Sequence, residues 1–267
     1  MKKALSLILA LVLAVSAMLT FGACGKDTAD MTDAEYIADK GELVIGITYF
    51  EPMNYIGADG ELTGFETEFA TAVCEKIGVN PVFQKIEWKT KEIELNGKTI
   101  DCIWNGMTIT DDRLATMSIS VPYMANKQVL VVKAGNENLT SVDGLSIVAE
   151  SESAGQEVIE TDAFFANAEF TAVTDQATAL LEVKNGTADA CVVDYVLSIG
   201  MIGAGTSYED LVVVDSQAFA DEEYGVAFRQ GSDMTEKVNQ AMAELKADGT
   251  LDTIAAKYKL QEQIIVK

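Results

Sequence analysis

The segment WNGMTITDDR ends in an arginine that follows a run of small and hydroxylated residues, at the predicted end of a buried strand. A guanidinium can donate two parallel hydrogen bonds to a carboxylate, which makes Arg113 a candidate to bind the carboxylate of a ligand. The hydroxyl of Thr108 and the backbone carbonyl of Gly106 could help to bind a ligand ammonium. The alternative at this point is a solvated helix start in which Arg113 pairs with Asp111 or Asp112.

A second charged candidate is Asp194, which follows the apolar residues CVV and could pair with a ligand ammonium. A third is the segment ESESAG, where the backbone N–H groups of Ser153 and Ala154 at a predicted helix start could bind a carboxylate. Burying one ligand charge without its partner is costly, so a site that binds both charges at once is favoured. This set of groups suits a free amino acid, although Asp194 and Ser153 are equally suitable as ordinary helix N-caps.

Composition narrows the function further. The chain has 19 Lys and Arg against 42 Asp and Glu, a formal net charge of -23, which repels phosphates and makes nucleic acid a poor partner. It contains no histidine, which removes histidine-based triads, histidine-ligated zinc and histidine acid–base chemistry. Binding is therefore favoured over catalysis, and neither a metal nor a cofactor is expected.

The first residues follow the pattern of a secretory signal, with Lys2 and Lys3, an apolar run, and small residues before Cys24. The sequence FGAC resembles a bacterial lipobox, in which the cysteine is lipidated and becomes the new N-terminus. We therefore predict a lipoprotein signal peptide at residues 1–23, a lipid anchor at Cys24 and a polar tether at residues 24–41. The alternative is an uncleaved membrane anchor, for which the apolar run is shorter than the roughly 20 residues of a spanning helix.

Three further cysteines, Cys74, Cys102 and Cys191, lie at wide spacing within apolar stretches. An odd number at such spacing does not define a disulfide framework. We interpret all three as buried thiols, and a bridge between Cys74 and Cys102 is the alternative.

The candidate residues need strands and helices to position them. LVIGITYF and PVFQKIEW are typical of short buried strands. Between them, GFETEFATAVCEKIG places apolar residues at four-residue spacing from Phe65 to Ile77 and then Gly78, as in a helix with a glycine stop. Glu66 and Glu68 near the start of this helix are assigned to its dipole. Strands and helices alternate along the chain, which predicts an α/β fold with parallel sheets.

The segments ELNGKTIDCIWNG and EVKNGTADACVVD share one pattern: the end of a helix, an Asn-Gly turn, an aspartate and an apolar strand. Two similar lobes are therefore predicted, with chain crossings near VVKAGNEN and DSQAFADEEYG. We assign residues 42–133 and 222–260 to lobe 1 and residues 134–221 to lobe 2. Ligands of open α/β sheets bind at the carboxyl ends of strands, so we expect the candidate residues to meet between lobes that close on the ligand.

Four motifs occur in order along most of the chain: GFETEF, GMTITDDR, ADACVVD, and YGVAFRQGSD with VNQAMAELKADGT. From Gly41 to about Tyr258, they resemble the bacterial family 3 solute-binding proteins, the amino-acid receptors of ABC importers. The resemblance implies a two-lobed periplasmic-binding-protein type II fold, or Venus flytrap, with a two-stranded hinge. It also implies a monomer that binds a free L-amino acid and delivers it to an ABC permease and ATPase complex. Such a lipoprotein is anchored to the outer face of the cytoplasmic membrane, or is periplasmic where the cell has an outer membrane.

The resemblance also assigns roles to individual residues. Arg113 would bind the α-carboxylate and Asp194 the α-ammonium, while Gly106 and Thr108 would contact both groups. The candidate ligand-binding residues are Phe50, Trp88, Asn105, Gly106, Thr108, Arg113, Glu150, Ser153, Ala154 and Asp194.

The family also places aromatic rings around the ligand side chain, at positions that correspond to Phe50 and Trp88. Glu51 and Glu150 lie close to expected pocket positions and favour a polar or basic amino acid, unless they face water. The chain departs from the family pattern at Ala154, where a hydroxyl or a glycine is frequent. Backbone donation survives that change, whereas a hydroxyl contact does not.

Two other functions are compatible with the same residues. Cyclohexadienyl dehydratases resemble this fold and use it catalytically, and Glu150 is the candidate for the buried general acid that they need. The other alternative is a sensor or adhesin that works without a transporter.

Overall fold

The computed structural model describes residues 30–217 and 219–267. The predicted signal peptide and the lipidation site at Cys24 lie outside the described residues. Among the helices in the described part of the chain, none is both long and apolar enough to cross a membrane.

Strands and helices alternate through most of the described chain, as predicted. The strands are β1 (Glu42–Ile47), β2 (Tyr55–Ile56), β3 (Leu62–Thr63), β4 (Asn80–Lys85), β5 (Cys102–Ile103), β6 (Met117–Ile119), β7 (Met124–Lys133), β8 (Ser146–Glu150), β9 (Glu169–Val173), β10 (Ala190–Asp194), β11 (Leu211–Val213), β12 (Asp221–Tyr224) and β13 (Ala227–Arg229). The helices are α1 (Asp33–Lys40), α2 (Phe65–Ile77), α3 (Lys91–Asn96), α4 (Asp111–Thr116), α5 (Ala154–Thr161), α6 (Gln176–Asn185), α7 (Tyr195–Met201), α8 (Met234–Ala247) and α9 (Thr250–Lys257).

Two sheets form the two lobes. The sheet of lobe 1 has the order β4-β1-β5-β13-β6, in which β4, β1 and β5 are parallel and β13 is antiparallel to its neighbours. The sheet of lobe 2 has the order β11-β7-β10-β8-β9, in which β10, β8 and β9 are parallel. The carboxyl ends of the central parallel strands, β5 in lobe 1 and β8 and β10 in lobe 2, face the region between the lobes, where a ligand site is expected.

Strand β7 joins the two lobes. Its first residues pair with β12 in antiparallel register, from Met124 opposite Tyr224 to Lys127 opposite Asp221. From Gln128 onward, β7 pairs with β10 in the second sheet. The two strands β7 and β12 are the two-stranded hinge of the expected fold. The crossing lies before residue 133, because the single strand β7 pairs with β12 as far as Lys127 and with β10 from Gln128 onward.

An aromatic cluster ties the core of lobe 1 to both hinge strands. The ring of Phe69 on α2 lies edge-on to Trp104, with centroids 5.3 Å apart, and 5.9 Å from the ring of Tyr123. Tyr123 precedes β7 and lies 6.2 Å from Tyr224, the last residue of β12. These large rings are fully buried, so the hinge strands emerge from a packed core.

Helix α1 occupies part of the predicted tether. The side chains of Ala34 and Ile37 are buried, so this amphipathic helix packs on lobe 1. Two bonds to lobe 1 hold it there: the Ala34 N–H donates to Asp233 Oδ1 at 2.8 Å, and Asp33 pairs with Arg229 at 3.0 Å. The folded unit therefore begins earlier than the prediction placed it.

Cys74, Cys102 and Cys191 are buried and make no disulfide in the structure. The prediction of buried thiols is confirmed, and the alternative bridge between Cys74 and Cys102 is wrong. Burial raises the pKa of each thiol, which keeps all three in the uncharged, unreactive form at neutral pH.

Candidate functional site

A small cavity lies between the lobes, beyond the carboxyl ends of β5, β8 and β10. The cavity is narrow, with a volume of about 10 Å³. The lining residues are Trp88, Asn105, Gly106, Thr108, Arg113, Gln128, Glu150, Ser153, Ala154, Gly155, Gln176, Val192 and Asp194.

All the predicted ligand-binding residues except Phe50 lie on this cavity wall. Phe50 is buried behind Gly106, and a Cβ built at Gly106 would lie 3.1 Å from its Cζ atom. The structure therefore places Phe50 next to Gly106 and not on the cavity wall, and its contact with the ligand stays a prediction. The local reason is that the chain turns back at Phe50, whose N–H bonds to the carbonyl of Asn54.

Arg113 enters the cavity from lobe 1. Its helix α4 begins at the N-cap Thr110, whose hydroxyl accepts a bond from the Arg113 N–H at 3.3 Å. Its Nη1 donates to the Thr108 carbonyl at 2.7 Å, which fixes the guanidinium along the wall. Burial lowers the pKa of Arg113, yet an arginine retains its charge in proteins. The other side-chain N–H groups bond no group in the described residues and remain available to an anion.

Asp194 enters from lobe 2 and is held by three amides. Its Oδ1 accepts bonds from Asn126 Nδ2 at 2.8 Å and Gln128 Nε2 at 2.6 Å, and its Oδ2 accepts a short bond from Gln176 Nε2. The residue stands at the N-cap of α7, but its side chain makes no capping bond. Burial raises its pKa and the amide donors oppose that shift. The carboxylate is thus turned toward the cavity instead of the helix.

The start of α5 supplies backbone donors from lobe 2. The Ser153 hydroxyl accepts the Gln156 N–H at 3.2 Å, so Ser153 is the helix N-cap, as the alternative interpretation held. Its own N–H donates to the Glu150 carbonyl at 3.3 Å. The N–H groups of Ala154 and Gly155 make no hydrogen bond to other described residues. The N-terminus of this helix can therefore bind an anion.

Gly106 is fixed by a buried carboxylate that the sequence analysis assigned to a helix dipole. Glu66 Oε1 accepts the Gly106 N–H at 2.8 Å and a short bond from the Tyr123 hydroxyl, while Asn54 Nδ2 donates to its Oε2 at 2.7 Å. Burial raises the pKa of Glu66 to about 7. The network holds Gly106 at a φ of 57°, a left-handed conformation that turns its backbone along the wall.

Trp88 and Glu150 face the cavity from different lobes. Trp88 Nε1 and Glu150 Oε1 are buried, and neither has a hydrogen-bond partner among the described residues. Burial raises the pKa of Glu150 well above its ordinary value, with the charge of Asp194 as the next cause. Lys91 lies over the ring of Trp88, with Nζ 4.7 Å from the ring centroid, and donates across the cleft to the Glu152 carbonyl at 3.3 Å.

Sequence reasoning missed the amides and the second acid that surround Asp194. Gln128 directly precedes the apolar run of β7, and Gln176 follows the N-cap of α6. Glu222 on hinge strand β12 accepts bonds from Gln128 at 3.0 Å and from the Thr108 hydroxyl at 3.2 Å. The signal available in the sequence was the polar stretch that Gln128 ends directly before the apolar residues 129–132, because a buried amide requires a polar partner.

The fold consists of two α/β lobes that are joined by two strands and enclose a cavity. The cavity has one group for a negative ligand charge and another for a positive one. This arrangement defines a two-lobed binding protein for a small ligand. Residues 43–261 match the family model of bacterial extracellular solute-binding proteins, family 3, and the chain belongs to this family.

Relatives and solved structures agree with that assignment. The L-cystine-binding protein TcyJ of Escherichia coli strain K12 is 30% identical over 244 residues, which cover 90% of this chain and 91% of that protein. An ancestral arginine-binding protein bound to arginine shares 30% identity with a TM-score of 0.75, over 82% of this chain and 98% of that one. A substrate-binding protein of an ABC uptake transporter from Streptococcus pneumoniae, with bound histidine, shares 31% identity with a TM-score of 0.73, over 83% and 94%. These relatives are solute-binding proteins and not enzymes.

Proposed function

We propose that this protein is the receptor of an ABC importer and binds one free L-amino acid, with a polar or basic side chain, between its lobes. The observation that carries the proposal is the placement of Arg113 and Asp194 on one cavity, each supplied by a different lobe. A zwitterion requires one protein group of each charge. A site that pairs with both ligand charges avoids a buried unpaired ion.

The α-carboxylate is assigned to Arg113 and the start of α5. Arg113 has guanidinium N–H groups without partners in the described residues, and the Ala154 N–H is likewise unbonded. An anion between them receives charge-assisted bonds from the guanidinium and the favourable end of a helix. Because the two donors belong to different lobes, the carboxylate is fully bound only when the cleft is closed.

The α-ammonium is assigned to Asp194, with help from Thr108 and Gly106. Two ionised oxygens offer about four acceptor sites, and three amide bonds occupy three of them. One ammonium N–H can therefore bond the carboxylate directly, and others can bond the Thr108 hydroxyl oxygen or the Gly106 carbonyl. The three amides orient Asp194 before the ligand arrives, which reduces the ordering cost of binding.

Closure is the conformational response that the proposal requires. Contacts across the cleft, such as Lys91 Nζ to the Glu152 carbonyl, exist only while the lobes are together. A ligand that touches both lobes binds the closed state better than the open state and shifts the population toward it. Recognition of the closed receptor by a permease and ATPase complex follows from this family's place in ABC import.

Anchoring is proposed from the sequence. A lipidated Cys24 would attach a monomeric receptor to the outer face of the cytoplasmic membrane, or the mature protein would be periplasmic in a cell with an outer membrane. Metabolic labelling with a fatty acid, compared between the natural chain and Cys24→Ala, tests this attachment, and equal membrane association of both proteins would contradict it.

Isothermal titration calorimetry against all twenty amino acids, ornithine and cystine tests the proposed ligand class. We expect Arg113→Ala and Asp194→Ala each to weaken binding at least tenfold, about 1.4 kcal/mol, while cooperative unfolding is retained. Asp111→Ala, on the exposed face of the same helix as Arg113, is the matched control and should bind normally. Unchanged affinity in both site variants, or tight binding of leucine alone, would reject the proposal.

A further inference from the structure

Two polar atoms of opposite hydrogen-bonding type are left unpaired on the cavity wall. Trp88 Nε1 carries an N–H donor and Glu150 Oε1 is an acceptor, and both atoms are buried without a partner among the described residues. Each residue is only 4% exposed, so water in the bulk does not replace the missing partner. Both residues line the cavity, Trp88 from lobe 1 and Glu150 from lobe 2.

An unpaired buried polar atom is costly. Leaving a buried donor or acceptor unsatisfied costs about 1–3 kcal/mol, and such atoms are rare in native proteins. A pair of them on one ligand cavity is therefore best explained by a ligand that supplies the missing partners.

The other polar side chains of the wall are already engaged. Asn105 donates to the Thr48 hydroxyl at 2.7 Å and accepts the Thr48 N–H at 2.8 Å. Gln128 and Gln176 donate to Asp194, as described above. Once the proposed α-carboxylate and α-ammonium are bound, the needs that remain on the wall are one acceptor for Trp88 and one donor for Glu150.

Only some amino-acid side chains meet both needs. A lysine or ornithine ammonium offers donors but leaves the Trp88 N–H unpaired. A glutamate carboxylate offers acceptors but meets the oxygen of Glu150 without a donor, and an alkyl chain offers neither. A terminal carboxamide, or the second amino-acid head group of cystine, carries an N–H donor and an oxygen acceptor side by side.

We propose that Trp88 and Glu150 select an amino acid whose side chain ends in an adjacent N–H donor and oxygen acceptor. This inference rests on the proposed function, because it assumes that the α-groups of the ligand occupy Arg113 and Asp194. The Trp88 N–H donates to the ligand oxygen, and Glu150 accepts from the ligand nitrogen. Lys91, with Nζ over the ring of Trp88, supports the indole in this position.

The test compares ligands with different terminal groups on the unmodified protein by calorimetry. L-Glutamine and L-cystine carry both groups, L-lysine and L-ornithine carry donors alone, L-glutamate carries acceptors alone, and L-norleucine carries neither. We expect glutamine or cystine to bind at least tenfold more tightly than each of the other four. Preference for glutamine identifies a carboxamide, and preference for cystine identifies a second amino-acid head group.

Two variants test the residues themselves. Trp88→Phe keeps an aromatic ring and removes the N–H, and Glu150→Met keeps the length of the side chain and removes both acceptor oxygens. We expect each to weaken the preferred ligand at least fivefold and to weaken norleucine by a smaller factor. Trp104→Phe is the matched control, since its indole N–H is also buried and unpaired but lies off the cavity wall.

The outcomes separate the two proposals. Lysine or norleucine binding as tightly as glutamine and cystine overturns the selectivity inference and leaves the proposed amino-acid receptor intact. An equal loss of norleucine affinity in Trp88→Phe likewise overturns it. The absence of binding by every amino acid tested overturns the proposed function and this inference with it.

Discussion

Asp194 and Glu222 accept hydrogen bonds from the same two amide groups. Asn126 Nδ2 lies 2.8 Å from Asp194 Oδ1 and 3.0 Å from Glu222 Oε2. Gln128 Nε2 lies 2.6 Å and 3.0 Å from the same two oxygens. Two buried carboxylates are thus held side by side next to the proposed ammonium position, and burial together with Asp194 raises the pKa of Glu222 to about 7.

This pair predicts pH-dependent binding. Glu222 is about half protonated near pH 7 without ligand, and a bound ammonium favours its ionised form and lowers its pKa. Binding therefore releases a proton, and the affinity should fall as the pH decreases from about 8 to about 6. Calorimetry in buffers of different ionisation enthalpy measures the protons released.

Glu222→Gln should flatten this pH profile, and Asp221→Asn, at an exposed neighbouring position of β12, should not. Glu66, whose pKa is also raised to about 7, and Glu150 face the same region. A profile that keeps its slope in Glu222→Gln would assign the titration to one of those two acids instead.

Lys91 should stabilise the closed cleft. Its Nζ donates to the Glu152 carbonyl of the other lobe at 3.3 Å, and burial lowers its pKa to about 8. Removing one such bond costs about 0.5–1.5 kcal/mol, so Lys91→Met should weaken ligand binding about two- to tenfold. The affinity of Lys89→Met, which loses an exposed charge, is the comparison. Equal affinity of the two variants would contradict a role in closure.

Gly106 should not tolerate a side chain. Its φ of 57° disfavours other residues, and a Cβ there would lie 3.1 Å from Phe50 Cζ and 3.2 Å from the Tyr224 ring. Gly106→Ala should lower the free energy of unfolding by about 1–3 kcal/mol and weaken binding. Gly60→Ala, at a φ of 85° with open space around the Cβ, provides a backbone control. Chemical denaturation and calorimetry measure both effects, and equal losses in the two variants would exclude the packing explanation.

Arg229 should matter for stability and not for binding. It donates to the carbonyls of Leu95 at 3.1 Å and Ile100 at 2.9 Å, and pairs with Asp33 and the fully buried Asp101. Arg229→Met leaves Asp101 without one of its cations, and we expect a loss of about 3–5 kcal/mol of unfolding free energy. Thermal unfolding measures the loss, and calorimetry should find unchanged affinity.

The exposed pair between Lys246 and Asp252 offers the control for that experiment, because Lys246→Met removes an ion pair worth about 0–1 kcal/mol. Similar losses of unfolding free energy in Arg229→Met and Lys246→Met would show that the buried network around Arg229 does not contribute the predicted stability.

The sequence predicted the parts of this site that lie at strand ends. Arg113 and Asp194 follow apolar runs, and the carboxyl ends of strands meet between the lobes, so local patterns sufficed to bring them together. Gln128, Gln176 and Glu222 escaped prediction because their hydrogen-bond partners lie on other elements. Gln128 and Gln176 bond Asp194, which lies 66 and 18 residues further along the chain, and Glu222 shares the amide donors of Asn126 and Gln128 with it.

Glu66 and Phe50 are residues for which the sequence analysis predicted a different position or role from the one in the structure. Glu66 lies in the first turn of α2, where an acid suits the helix dipole, so its local pattern already had an explanation. Its actual partners, Gly106 and Tyr123, become neighbours only in the assembled lobe. Phe50 was expected beside the ligand because of the family resemblance, whereas the structure places it in a turn with Asn54, next to Gly106.

The chain has two tryptophans, and they occupy different surroundings. Trp88 borders the cavity, whereas Trp104 is packed edge-on to Phe69 in the core of lobe 1. Intrinsic fluorescence therefore combines a reporter with an internal standard: emission from Trp88 responds to an occupied cavity, and emission from Trp104 stays constant. Trp104→Phe leaves Trp88 as the one tryptophan of the chain, so this receptor can be screened against ligands by tryptophan emission without a label.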